Sequence, residues 1–430
     1  MKKSLKYVFV VTGMSYIIDS SGTSNVVKAH QKIFVNEGIN YVVIFPISRS
    51  KGEGINWHVT TTGCYALVIN GVFIRVMTTK QVVNYLMNYQ KAGNRCIGIL
   101  IHHLIRNNLS DIEHILQKIN DVPIIFYLHD YYTVCFNHNM LKDDEISCID
   151  DEMSCKGCVY EEKRDKHKAA ISSFIDLFSN RITFVAPSQY TLERWLHYYP
   201  QFQKISTFIP HQKCLGKYSD NKSIIPETAP IRIAFIGTQT HAKGWDIYKK
   251  IVQDLVKAKC NYDFYYFGKG KEQIQQIKNI FIETSKMGKN AAINELRNNK
   301  IDVVFLTSIW AETYSYTMYE SIASNAYIIT LNNSGNIAYT VRMENLGRVF
   351  ESAESIKEFF SKEKDFRSEL NNWKQNAKPG FERYDDNDDI LHFFPTSSHA
   401  TISGPLESIT CLQALKSFAL NILFRNCRLK

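Results

Sequence analysis

Long apolar runs are missing from this chain. An uncharged stretch as long as any in it, Gly54 to Ile74, is broken by three threonines, a histidine, two asparagines and three glycines. That composition suits strands and turns and excludes a membrane-crossing helix there. Cysteine is sparse: ten residues in 430 lie far below disulfide-scaffold density, and a few clustered thiols among scattered ones suit a reducing compartment. Charge of one sign is not in large excess. Lys and Arg total 51 against 42 Asp and Glu, a net charge of +9. No basic stripe is interleaved with aromatics, so no nucleic-acid partner is expected, and small anionic ligands or an anionic membrane surface stay open. No A-x-A-like cleavage site follows the basic and apolar first 14 residues, so they read as a first strand rather than a secretory leader. Solenoid-type repeats and low-complexity tracts are also missing.

What is present reads as globular: 45% hydrophobic and 22% charged residues. At ~150 residues per domain the length suits two or three domains. Short β-branched runs alternate with helical patterns. Tyr7–Val11, Tyr41–Phe45 (closed by Pro46), Ile97–Ile101, Pro123–Leu128 and Ile182–Val185 read as strands, with a hairpin over 57–76 turning at Asn70-Gly71. Residues 213–230 break the rhythm with Gly, Asp, Asn, Pro and Thr and read as a linker. The alternation restarts with strands Ile231–Ile236, Asp263–Phe267, Val303–Leu306 and Tyr327–Leu331. The expected fold class is α/β, two doubly wound Rossmann-like domains facing a central cleft. The boundaries read as 1–212, with a cysteine-bearing insert at 135–165, then the linker, then 231–375, then a tail at 376–430.

Three constellations carry chemistry. After the Val303 strand, a loop holds Glu312, Ser315 is a helix N-cap, and Glu320 falls inside the helix behind Tyr316. The free N–H groups of such a helix start suit a pyrophosphate. A loop carboxylate beside them suits a sugar, and one further along suits ribose hydroxyls. Two glutamates this far apart are common by chance; the strand, loop and capped helix give them meaning. The second constellation is the loop from Gly237 to Lys243-Gly244, where lysine meets phosphate charge and glycine lets the backbone approach it. Read alone, Lys243 is as easily a surface lysine of an ordinary loop. The third is a set of histidines, His102, His103 and His129, at two strand ends, where imidazoles bind hydroxyls or share a proton.

Together these features resemble the retaining GT-B-fold glycosyltransferases of family four, also called group 1. They are Ser21-Gly22-Thr23 after the first strand, His102-His103-Leu104, His129-Asp130-Tyr131-Tyr132, Ala186-Pro187-Ser188 and Ile209-Pro210-His211. Gly237…Lys243-Gly244, Glu312…Glu320 and Ser334-Gly335-Asn336-Ile337 complete the set. The resemblance implies sugar transfer from a nucleotide-sugar to a glycan or lipid-linked oligosaccharide acceptor, with retention and without an obligatory metal. It implies a donor site at Gly22, Gly237, Lys243, Ser315, Tyr316 and Glu320. Glu312 would stand against the donor sugar and His102, His103 or His129 near the reaction centre. Relatives resembling this chain build bacterial cell-surface polysaccharide, which implies a cytoplasmic enzyme, peripheral at the inner membrane face. One departure stands out: an arginine common shortly before the lysine is replaced by Thr238-Gln239-Thr240-His241. A GT-B sugar-nucleotide epimerase or hydrolase, and a non-catalytic partner protein, are the competing readings.

Two features lie outside that core. Cys135, Cys148, Cys155 and Cys158 offer four thiolates to a structural zinc, with free cysteines as the alternative. Residues 406–430 fit an amphipathic helix with Leu412, Leu415, Phe418, Ala419, Ile422 and Leu423 on one face and basic residues nearby. It reads as a helix packed on the protein, or as an interfacial membrane anchor.

Overall fold

The run Lys6–Val11 is apolar at every position after the first, and Tyr7 to Val11 are completely buried. A strand covered on both faces by helices needs that composition. A computed structural model describes residues 5–19, 21–51, 58–119, 121–148, 155–218 and 224–394. The chain divides into two compact units, one of residues 1–138, 162–211 and 386–430, the other of 139–161 and 212–385.

In the first unit β1 is Lys6–Val11, β2 Asn40–Lys51, β3 His58–Ile69, β4 Val72–Thr78, β5 Arg95–Ile101 and β6 Ile124–Tyr127. Next in the chain comes a small hairpin that groups with the second unit, β7 (Leu141–Lys142) with β8 (Ile146–Ser147), and then the first unit's β9 (Ile182–Ala186) and β10 (Ser206–Phe208). The sheet order is β10-β9-β6-β5-β1-β2-β3-β4. All pairs are parallel except β2 with β3 and β3 with β4. Asn70 and Gly71 turn the β3–β4 hairpin with φ of 51° and 82°, the signs a type I′ turn requires.

Pro46 does not close its strand. β2 runs on to Lys51, and its register against β3 shifts between Pro46 and Ser48; an irregularity of this kind is where a strand tolerates proline.

In the second unit β11 is Gln212–Leu215, β12 Ile231–Ile236, β13 Tyr262–Gly268, β14 Ile277–Phe281, β15 Val303–Leu306, β16 Tyr327–Leu331, β17 Gly347–Phe350 and β18 Arg383–Asp386. Six of these form a parallel sheet in the order β14-β13-β12-β15-β16-β17. Counted from β12 that is 3-2-1-4-5-6, the dinucleotide-fold order, whose direction reverses between β12 and β15. The helix Trp245–Lys257 shows how its cover forms. Trp245, Tyr248, Ile251, Val252 and Leu255 recur at helical spacing and are all buried; each such aliphatic burial contributes about 1.5–3 kcal/mol.

The expected boundaries need revision in three places. Residues 139–161 of the insert group with the second unit rather than the first. The segment read as a linker opens with β11, which pairs with β18, and Ile225 lies in the second unit's core. The tail is not one piece: β18 closes the second unit, and Asp388–Phe393 is a 3-10 turn of the first. There Ile390 is buried and the Phe394 ring lies 5.3 Å from Phe34. The amphipathic helix expected at 406–430 lies outside the described residues.

Candidate functional site

β12 and β15 are neighbours, and the loops leaving their carboxyl ends meet at the point where the strand order reverses. Ligands of open α/β sheets bind in the crevice at such a point. Ile309 N–H donates to Ala242 O at 3.1 Å, tying one loop to the other. Gly244, at φ +80°, packs so closely on Thr307 that a Cβ there would stand 2.0 Å from its carbonyl oxygen. The tight turn carries Lys243 out of the loop, and Lys243 Nζ reaches Glu312 Oε1 at 2.8 Å. Glu312 is 2% exposed and Lys243 37%. The Lys243 ammonium also lies 5.6 Å from the centre of the Trp310 ring.

Glu312 is held from several sides. Ser308 Oγ hydrogen-bonds Oε1, Asn336 N–H donates to its carbonyl at 2.8 Å, and Glu312 bridges Gly335 in parallel fashion. Ser334 Oγ donates to Ser308 O at 2.7 Å, so the loop after β16 braces the loop after β15. Ser315 caps the helix Tyr316–Ala323, accepting from Met318 N–H at 3.3 Å, as the sequence predicts. The remaining first-turn amides of that helix have no intrahelical acceptor. Gly237 faces the same turn: a Cβ on it would meet Thr317 Cγ2 at 3.9 Å. Glu320, one turn past Tyr316, is buried, and burial pushes its carboxyl up to about 7. The nearby Tyr384 hydroxyl offsets only part of that push.

Gly237, Lys243, Glu312, Ser315, Tyr316 and Glu320 therefore belong to one neighbourhood. His241, in the loop where the arginine is absent, is more than half exposed and its Nδ1 lies 3.1 Å from Asp246. Lys269 and Lys271 line a hollow with Thr238, Gln239, Tyr266 and Glu272 past the ends of β12 and β13, and Lys269 Nζ lies 3.1 Å from Glu283 Oε1. The brace by Ser308 and the ring of Trp310 were not legible as site features, because a serine and a tryptophan beside a strand end carry no spacing signal.

The first unit gathers its own cluster at the carboxyl ends of β5 and β6. His102 is 1% exposed. Its Nδ1 lies 2.9 Å from His129 Nε2, and its Nε2 lies 3.2 Å from Tyr41 Oη and 3.4 Å from His30 Nδ1. The His129 ring packs 5.2 Å from His211. Burial holds all four imidazoles below the usual range, His30 and His129 at about 3. His102 faces inward and supports His129, which is partly exposed. His103 is bound at both ring nitrogens. Its Nδ1 accepts from Ile105 N–H at 3.0 Å and its Nε2 pairs with Asp130. A ring accepting at Nδ1 carries its proton on Nε2, so it donates to the carboxylate. Gly22 opens the helix Gly22–Asn36, capped by Ser21.

The cysteine insert does not present a tetrahedral set. Among the described residues no three His, Cys, Asp or Glu side chains are grouped to hold a metal ion. Cys148 donates its thiol to Met140 O at 3.0 Å, and Cys155 and Cys158 bracket a single turn. Among the described residues no helix is long and apolar enough to cross a membrane.

No family profile and no curated protein matches the sequence. Solved structures do match in shape. Sucrose-phosphate synthase from Thermosynechococcus elongatus superposes with a TM-score of 0.52 at 10% identity, over 86% of this chain and 92% of that one. The apo lipopolysaccharide outer core galactosyltransferase WaaB superposes with a TM-score of 0.50 at 11% identity, over 90% and 97%. The fold is GT-B. Both units of this GT-B chain place their polar clusters at the carboxyl ends of parallel strands, the helix-capped carboxylates in one and the imidazoles in the other.

Proposed function

We propose that the chain is a retaining glycosyltransferase. It moves a sugar from a nucleoside-diphosphate sugar to a glycan or lipid-linked oligosaccharide in cell-surface polysaccharide synthesis. The observation that supports this most is the Lys243–Glu312 pair beside the capped helix at the sheet's reversal point. In the proposed donor complex Lys243 turns to the diphosphate and Glu312 is left facing the sugar. As the sugar–phosphate bond breaks, negative charge grows on the leaving phosphate, and Lys243 with the helix amides stabilises it. The oxocarbenium-like sugar sits against the Glu312 carboxylate. The acceptor hydroxyl attacks from the leaving-group face and gives its proton to the departing phosphate, so configuration is kept.

Glu320 is assigned to the ribose hydroxyls, and Lys269 and Lys271 to part of the charge that the Gly237 loop lacks. His103 and His129 are assigned to the sugar or acceptor, with His102 as their support. A cytoplasmic location, peripheral at the inner membrane face, belongs to the same proposal. The test is a titration with a panel of nucleotide-sugars followed by product analysis. Binding, release of a nucleoside diphosphate only when acceptor is present, and loss of transfer in Glu312→Gln support the reading. Conversion of donor alone would instead assign an epimerase or hydrolase, and no binding across the panel would leave a non-catalytic partner.

A further inference from the structure

The second unit has another hollow, at the opposite ends of the same strands. Pro230 and Arg232 open β12, Asp302 precedes β15 and Asn325 precedes β16, and all of them line a cavity of about 290 Å³. Its cations are Arg232, Arg297, Lys300, Lys374 and Lys378, against a lone lining acid, Asp302. That acid is already committed, with Lys374 Nζ at 2.5 Å and Arg232 N–H at 3.0 Å. Lys378 is loosely paired with Glu344 at 3.4 Å, both side chains being largely exposed. Among the described residues the Arg232 and Lys300 side chains form no ion pair, although Asp263 stands opposite Arg232 across β12 and β13. A surplus of like charge in a concave wall repels itself until an anion enters, and the concavity strengthens the field.

One cation of the wall, Arg297, is fixed in place. The Arg297 guanidinium lies 3.6 Å from the centre of the Tyr218 ring, and Nη2 donates to Ala323 O at 2.9 Å and Phe381 O at 2.8 Å. Trp373, fixed by its indole N–H on Asn345 O at 2.8 Å, and the aliphatic Ile225, Pro226 and Ala229 supply an apolar side. A cationic wall facing an apolar one selects a ligand with an anionic head and a small organic body. A planar guanidinium and ammonium groups suit the oxygens of a phosphate. The cavity volume is at the lower end for small-molecule sites.

We propose that this hollow binds a phosphate monoester, its phosphate between Arg232 and Lys300 and its organic part against Trp373. The site lies at the amino ends of the strands, away from the carboxyl-end loops that carry Lys243 and Glu312, and it does not depend on the sugar-transfer reading.

The test titrates the full chain with phenyl phosphate by calorimetry, with inorganic phosphate in a second arm and phosphatidic acid vesicles in a third. Phenyl phosphate should bind more tightly than inorganic phosphate. It should lose about tenfold in affinity in Arg232→Ala and in Lys300→Ala, and keep its affinity in Lys243→Ala. Thermal melting of each variant checks that it is folded. Vesicle binding that is lost in the same two variants, with phenyl phosphate silent, assigns the same phosphate chemistry to a lipid headgroup. Phenyl phosphate binding that ignores both substitutions, or follows Lys243 instead, overturns the proposal, as does silence in all three arms.

Discussion

Lys243 Nζ stands 2.8 Å from Glu312 Oε1, joining the loops of two adjacent parallel strands through a carboxylate that water hardly reaches. Removing the ammonium leaves that carboxylate hydrogen-bonded to the Ser308 hydroxyl. Lys243→Ala should lower stability by roughly 2 kcal/mol, below the usual figure for a fully buried pair because Lys243 is partly solvated. Neutralising the stranded acid in Lys243→Ala/Glu312→Gln should recover most of that loss. Urea unfolding of the parent, both single variants and the double variant measures the coupling; additive losses would mean the pair contributes nothing.

Gly335 sets the position of Glu312 from behind. It sits at φ +66°, and a Cβ on it would come within 2.5 Å of the Glu312 backbone nitrogen. Gly335→Ala must therefore displace the Glu312 loop or strain its own backbone, at a cost of about 1–3 kcal/mol. The expected outcome is a folded protein with donor transfer reduced at least as severely as nucleoside diphosphate binding. Unchanged turnover would remove Glu312 from the reaction.

The helix cap at Ser315, the Gly237–Lys243 loop and the hairpin at Asn70-Gly71 were legible because each rests on local chemistry: a side chain accepting from an amide, or a residue type suited to positive φ. The edge strands β14 and β17 were not. Ile277–Phe281 and Gly347–Phe350 mix exposed polar positions with apolar ones, since an edge strand is only partly covered, and the pattern falls below a strand signal. The inward turn of His102 was equally hidden. It depends on His30 and Tyr41, 72 and 61 residues away in sequence, and no local pattern encodes that contact. The return of residues 388–394 to the first unit was missed for the same reason: Phe394 finds its partner, Phe34, at the other end of the chain.

Glu320 gives the second unit a pH signature. Its folded carboxyl titrates at about 7, raised from 4.5 by burial. Below the unfolded value both states are protonated and the group's contribution is fully present. As pH rises through the folded value, that contribution is lost, because the unfolded chain ionises first. Stability of this unit should thus fall from pH 5 to pH 8, by at most roughly 3 kcal/mol from this residue. Glu320→Gln should be nearly neutral at pH 5 and stabilising at pH 8. Urea midpoints at the two values decide it; a variant effect independent of pH would place the carboxylate in water.

The first unit should behave in the opposite sense. His30, His102, His129 and His211 are all held below the imidazole range by burial, His30 and His129 at about 3. Between the unfolded value near 6.5 and the folded ones, the unfolded chain binds protons that the folded unit refuses. Stability therefore falls as pH drops through that window, each histidine adding up to about 1.4 kcal/mol per pH unit. Asp130, held below the carboxylate range by His103, adds its loss only at more acid pH. The hydroxyls of Tyr41 and Tyr127 and the His103 ring pack on or act on the cluster, and the Asp130 carboxylate favours an imidazolium at His129. Hydrogen exchange of the β1, β5 and β6 amides should accelerate steeply from pH 7 to pH 5 once corrected for intrinsic exchange. His30→Gln, which removes one buried base from the ladder, should flatten that slope. A pH-independent opening free energy would mean that the imidazoles are protonated in the folded protein and that the ladder is solvated.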